Sequence, residues 1–461
     1  MESFLHFLPL WMFLVLGVLL FTGYPVAFVL GGIGLAFAVI GDMAGMFRLQ
    51  QLTLIPLRIY GSTMESLVLV AIPMFIFMGT MLEKSGVARD LLQALQVLMR
   101  RVPGGLALSV TLMGTIMAAT TGIIGASVVM MTLMALPIML ERRYNVPLAT
   151  GTIAASGTLG ILIPPSIMLV IMSDLLSVPV GTVFIAAILP GLLLAVLYFT
   201  YILVICQLRP ELAPPLPDDI GPETRGAFWF MIVRSFIPPI ALITLVLGSI
   251  FAGWATPTEA AGVGAGGSVL LAVFNRALTW PVFVEVCQRS ALTGAMLFGI
   301  FVGATCFAFV FRTLGGEHLI IDFIRETGVG PWSILLVLML MIFLLGFFFD
   351  WIEITLIVMP VFAPIVGLLD FGDHIGAWSG IPQPNIIWFL ILAAVNLQTS
   401  FLTPPFGFAL FYLKGVAPPS VKIQMIYRGI IPFVGLQLAG LMLCILFPAI
   451  VLWLPSVLLG R

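Results

Sequence analysis

Two Pro-Pro pairs, Pro164-Pro165 and Pro404-Pro405, lie inside apolar runs 240 residues apart. Proline lacks an N–H and clashes with the preceding helical turn. The carbonyls near Gly160 and Ile161, and near Ser400 and Phe401, should therefore lose their helical partners. In hydrocarbon such a carbonyl is costly and persists only where another group takes it up. Hard oxygen donors suit Na⁺, and unwound backbone in broken helices is a usual place for it. Side-chain oxygen stands close by at Ser156, Thr158, Asn396, Thr399, Ser400 and Thr403. Half-helices starting after Pro165 and Pro405 would aim positive dipole ends at the same region, which suits a carboxylate. The competing account of either pair is a structural kink satisfied by a neighbouring helix or by Ser/Thr. Its weight falls when two pairs occupy matching places.

Other reactive residues fall short of a catalytic set. Asp350 and Glu353 flank an apolar tip. Asp350 reads equally as a cation or gating group and as a solvated carboxylate; Glu353 reads as solvated. Glu259 follows Thr256-Pro257-Thr258 as the third residue of a capping box, a structural role. Gly262-Val263-Gly264-Ala265-Gly266-Gly267 has no preceding strand and reads as close helix packing, not a nucleotide loop. Cys206, Cys287, Cys306 and Cys444 are far apart, and His6, His318 and His374 are isolated. No Lys follows a Gly, so there is no phosphate-binding loop and no ATP site. A net charge of −1 leaves no basic field for nucleic acid. These absences argue against an enzyme.

The elements that must hold these residues are membrane segments. Of 461 residues, 61% are hydrophobic and 8% charged, against about 25% charged in soluble domains. Crossings of about 20 apolar residues are expected near 4–22, 24–41, 66–84, 145–173, 183–207, 228–250, 256–275, 291–313, 385–416 and 430–455. The N-terminus lacks a basic region and a cleavage site, so the first segment is expected to be retained. Two further stretches, 103–140 and 330–369, read as re-entrant hairpins with tips at Thr120–Ser127 and Gly346–Glu353. Arg100, Arg101, Arg142 and Arg143 put both feet of the first hairpin in the cytoplasm; Asp370, Asp373 and His374 put the second outside.

Counting crossings from these anchors makes the Pro-rich loop 208–227 a solvated cytoplasmic linker and the N-terminus periplasmic. Arg48 and Arg58 then fall outside, against the charge rule. Each half reads as three crossings, a hairpin and two crossings, in opposite orientation. The expected fold is therefore an all-α polytopic membrane protein built as an inverted-topology repeat. Residues 1–207 form the first repeat, with hairpin 103–140 and broken helix 145–173. Residues 208–227 form the linker. Residues 228–461 form the second repeat, with hairpin 330–369 and broken helix 385–416.

The chain resembles the large membrane subunit of tripartite ATP-independent periplasmic (TRAP) transporters over nearly its whole length. The resemblance is carried by Gly23-Tyr24-Pro25-Val26-Ala27-Phe28, the stretch Arg58 to Gly79 with Ala71-Ile72-Pro73-Met74-Phe75, and Pro103-Gly104-Gly105. It is carried further by Ile163-Pro164-Pro165-Ser166, Ala255-Thr256-Pro257-Thr258-Glu259-Ala260-Ala261, Leu402-Thr403-Pro404-Pro405-Phe406-Gly407 and Arg428-Gly429-Ile430-Ile431-Pro432-Phe433. The second tip, with Asp350, is close to type; the first is poorer in Ser and Gly than the family.

The resemblance implies Na⁺-coupled import of an organic acid by an elevator mechanism in the bacterial inner membrane. It implies two partners besides the lipid bilayer: a periplasmic substrate-binding protein and a small four-helix membrane subunit on a separate chain. It implies no cofactor beyond Na⁺ as coupling ion. Na⁺ is then expected at Gly125, Ser127, Ser156, Thr158, Gly160, Gly346, Asp350, Thr399, Ser400 and Thr403. Substrate is expected at Pro165, Ser166, Asn396, Pro405 and Phe406. The alternatives are a stand-alone Na⁺/dicarboxylate-type symporter without a binding protein and, from another class, an intramembrane enzyme.

Overall fold

The computed structural model describes residues 7–459 except 122–123, 218–220, 223, 320–321, 323–329 and 405–406, and it is helical throughout the described residues. In chain order the first half holds α1 (Leu8–Leu20), α2 (Val26–Met43), α3 (Leu54–Ile59), α4 (Ala71–Lys84), α5 (Val87–Met99), α6 (Gly105–Thr121), α7 (Ile124–Glu141), α8 (Val146–Thr158), α9 (Ile167–Leu175) and α10 (Val180–Leu208). The second holds α11 (Arg225–Phe251), α12 (Pro257–Phe274), α13 (Trp280–Thr313), α14 (Pro331–Leu345), α15 (Trp351–Gly367), α16 (Asp373–Gly376), α17 (Pro384–Ser400), α18 (Phe408–Val416), α19 (Ile423–Leu446) and α20 (Ala449–Leu459). Seven described helices are long and apolar enough to cross a membrane. The chain is a multi-pass membrane protein.

Two groups of helices emerge from the packing. In one, α2 lies along α13, and α4 packs on α12 and α13. Small residues permit this closeness: a Cβ on Gly264 would come 2.6 Å from Met78 Sδ. Thr256 and Glu259 form the expected capping box at the start of α12. Ion pairs mark both ends of α13. Lys84–Glu285 (2.6 Å) and Arg289–Glu83 (3.5 Å) lie at one end, and Arg312–Glu317 (2.7 Å) at the other.

The second group is the core. The pair α6/α7 packs on α8, the pair α14/α15 packs on α17, and α19 crosses to α8. That crossing is a backbone contact. A side chain on Gly151 would strike the Gly429 carbonyl, and one on Gly429 the Pro147 carbonyl.

Several expectations need correction. The linker is not simply solvated. Its residues 212–216 are strapped to both feet of the α6/α7 pair: Asn145 N–H donates to Leu212 O (2.7 Å), Gly104 N–H to Ala213 O (2.9 Å) and Leu216 N–H to Arg100 O (2.9 Å). Ala213 and Leu216 are buried there, because apolar side chains between the prolines leave water when a surface is at hand. Helix α5 was unforeseen. It is 13 residues long with one apolar face and carries Arg89 and Asp90, the pattern of an amphipathic helix rather than a span. The segment expected at 430–455 is two helices, parted at Phe447-Pro448. The segment expected at 66–84 is helical only from Ala71.

Candidate functional site

Each Pro-Pro pair coincides with a gap between helices. Helix α8 tightens into a 3₁₀ turn at Leu159–Ile161 and the chain resumes as α9 at Ile167. Helix α17 stops at Ser400 and α18 begins at Phe408. The residues leading into each gap, 158–162 and 397–402, are buried.

In the first half, Ser156 sits between the arms of the α6/α7 pair. Its hydroxyl lies 3.3 Å from Thr111 Oγ1. A Cβ on Gly114 would come 2.8 Å from Ser156 Cβ, and one on Gly157 would press on Val128 at 2.5 Å. Ser127 is buried on α7, and Gly160 is buried in the 3₁₀ turn, which packs on α6. Gly125, at the start of α7, faces the Tyr412 ring of α18. Ser166 does not cap α9 with its side chain; its hydroxyl turns back to the Ile161 carbonyl. One carbonyl released at the first break is thus satisfied within the chain. Pro165 follows a cis peptide bond beside it.

The second half is similar in plan. A side chain on Gly346 would overlap the Ser400 hydroxyl, so the α14/α15 turn and the end of α17 touch directly. Asn396 Nδ2 donates to the Met339 carbonyl on α14 (2.6 Å). Thr399, Ser400 and Thr403 hydroxyls donate to the carbonyls of Val395, Leu397 and Thr399. Their lone pairs stay available to a cation. Asp350 is the N-cap of α15 and accepts from Trp351 N–H (2.8 Å). Pro405 and Phe406 lie outside the described residues, as does part of the first tip.

The two breaks meet. Gln398 Nε2 donates to Thr158 Oγ1 (3.3 Å), and Thr158 in turn donates to the Ala155 carbonyl (2.9 Å). Gln398 is 0% exposed, and its Oε1 finds no hydrogen-bond partner among the described residues. Glu353 is 9% exposed with Oε2 unpartnered among the described residues, which overturns its reading as a solvated tip carboxylate. The α14/α15 pair folds its second arm against the core, so the carboxylate enters with it. Thr355 Oγ1 is likewise buried and unpartnered. A buried polar atom without a partner costs about 1–3 kcal/mol, so these oxygens are candidates to hold a ligand. Glu353 carried a signal, as an acid in an apolar run. Gln398 carried one too, between Asn396 and Thr399. Thr111 and Tyr412 carried none.

Compared with known proteins, residues 13–450 match the family model described as tripartite ATP-independent periplasmic transporter, DctM component. The C4-dicarboxylate TRAP transporter large permease protein DctM of Pseudomonas aeruginosa is 31% identical over 86% of this chain and 87% of its own. The isethionate TRAP transporter permease protein DctMQ of Oleidesulfovibrio alaskensis is 28% identical over 94% of this chain and 64% of its own. Among solved structures, the Alcanivorax borkumensis YdaH transporter superposes with a TM-score of 0.57 at 16% identity, covering 85% of this chain and 86% of that one, a likeness of fold.

Proposed function

The chain belongs to the tripartite ATP-independent periplasmic transporter family, as its DctM component, and from that membership we propose that it imports an organic acid by Na⁺ symport. The observation that carries this reading is the convergence of two broken helices on one buried, oxygen-rich core, with Gln398 Oε1 and Glu353 Oε2 lacking partners among the described residues. Na⁺ sits by the two breaks, among the hydroxyls of Ser156 and Thr158 on one side and of Thr399, Ser400 and Thr403 on the other. The substrate carboxylate lies between them, near Ser166 and Asn396.

The breaks and the two helix pairs move together as a carrier against α2, α4, α12 and α13, in an elevator stroke across the bacterial inner membrane. The two halves act as inverted repeats, with the N-terminus periplasmic. The 240-residue spacing of Thr158 and Gln398, equal to that of the Pro-Pro pairs, supports this arrangement. A periplasmic binding protein delivers the substrate, and a small separate membrane subunit braces the stationary helices. Uptake into proteoliposomes containing all three components tests the reading: it should collapse when external Na⁺ is replaced by choline. Uptake that is indifferent to Na⁺, or full uptake by this chain alone, defeats it.

A further inference from the structure

A cavity of about 580 Å³ opens between the stationary helices and the carrier, lined on one side by Arg58, Thr305 and Arg312 and on the other by Asp174, Ser177 and Pro360. The charges in it are unequally engaged. Arg312 is paired with Glu317 (2.7 Å) and donates to the Pro360 carbonyl (3.0 Å). Asp174 accepts from the Ser66 hydroxyl (2.7 Å). Arg58 is exposed, lies over the Phe309 ring at 4.9 Å, and has no ion pair among the described residues. Two residues on, the chain forms a π-helical turn, Tyr60–Met64, a rare conformation that is frequent at functional sites.

The sequence topology had Arg58 on the wrong side for the positive-inside rule. Here it shares a cavity with Asp174, Arg312 and Ser177, all of which that topology also puts outside. A basic residue kept against the rule, lying over an aromatic ring and without an ion pair among the described residues, is suited to a transient carboxylate or sulfonate.

We propose that this cavity is an anion subsite on the outer approach to the carrier, where Arg58 first engages the acid group of the substrate. The inference rests on the proposed uptake of an organic acid. The anion sits between Arg58 and the Ser62 and Ser177 hydroxyls, with the Phe309 ring beneath the guanidinium. Asp174 faces it from the carrier side and favours release inward.

The test is equilibrium binding to the full-length chain in detergent, at constant ionic strength in sodium chloride, which carries no carboxylate or sulfonate to compete, and with no Na⁺ gradient involved. The probes are succinate and isethionate. Wild type should bind both. Arg58→Gln should weaken each by about tenfold, Arg58→Lys should fall between wild type and Arg58→Gln because it keeps the charge and loses the planar fork, and Arg209→Gln, remote from the cavity, should change nothing. Four results overturn the subsite: no binding by wild type, wild-type affinity in Arg58→Gln, an equal loss in Arg209→Gln, or an Arg58-dependent response to phosphatidylglycerol micelles alone, which would make it a lipid site. Loss of the subsite leaves Na⁺-coupled uptake to be judged separately in proteoliposomes, and failure of that coupling leaves this binding measurement intact.

Discussion

Gln398 hydrogen-bonds Thr158 across 3.3 Å, and each is six residues before the first proline of its own Pro-Pro pair. Residues at the same distance from the two Pro-Pro pairs therefore touch each other, deep in the core. On the proposed reading of the halves as inverted repeats, a change on one side of this contact is felt on the other.

Gln398→Leu should raise the Na⁺ concentration for half-maximal uptake by about tenfold, roughly 1.4 kcal/mol. Its effect on thermal stability should be small, since one amide oxygen is already unpartnered. Thr158→Val should act in the same direction. A Na⁺ titration of uptake on both variants checks this, and unchanged midpoints would remove the pair from ion coupling.

Gly346→Ala places a methyl group on the Ser400 hydroxyl. Overpacking of this kind costs about 1–3 kcal/mol, so the variant should melt earlier and transport poorly. Adding Ser400→Gly should restore stability more fully than adding Ser400→Ala, because the Ser400 Cβ is itself within 2.5 Å of the new methyl. Melting curves of the three variants decide the point.

Pro404→Ala and Thr403→Val should each weaken Na⁺ dependence while leaving expression intact. Thr403 holds the Thr399 carbonyl at 2.8 Å, next to the break. A wild-type Na⁺ response in both variants would remove Na⁺ from the second break.

Glu353→Gln should stabilise the Na⁺-free protein and reduce the further stabilisation that Na⁺ gives. A buried carboxylate with an unpartnered oxygen is costly unless a cation answers it. The melting temperature with and without Na⁺, in wild type and variant, tests both signs at once.

Ser66 donates one hydrogen bond to Asp174, across what the proposed elevator stroke makes the boundary between stationary helices and carrier. A Ser66→Cys, Asp174→Cys pair, cross-linked by a short thiol-reactive bridge, should stop uptake, and reductant should restore it. Transport that continues while the bridge is intact would exclude relative movement at this contact.

Much of the helix placement is legible from sequence. Long apolar runs mark α10, α11 and α13, the Pro-Pro pairs mark where α8 and α17 end, and Thr256 with Glu259 marks the start of α12. What escaped depends on tertiary context. The apolar face of α5 is interrupted by charges, so a search for spans passes over it. Residues 212–216 read as solvated because prolines and charges surround them, yet three backbone hydrogen bonds hold them down. The burial of Glu353 is decided by which arm of a helix pair turns inward, and no local pattern encodes that. The meeting of Gln398 and Thr158 follows only once two halves have been docked.

Helix α13 has one further consequence. At 34 residues it is about 51 Å long, against a hydrocarbon layer of about 30 Å. Along it, Arg289 and Arg312 are about 35 Å apart by helical rise, and each is held at its level by an acidic partner. The two charges work as depth gauges, setting the height of this helix by its own side chains rather than by whichever lipids surround it. Vesicles of thinner or thicker acyl chains would have to bend to meet those marks, so the bilayer, not the protein, would carry the misfit.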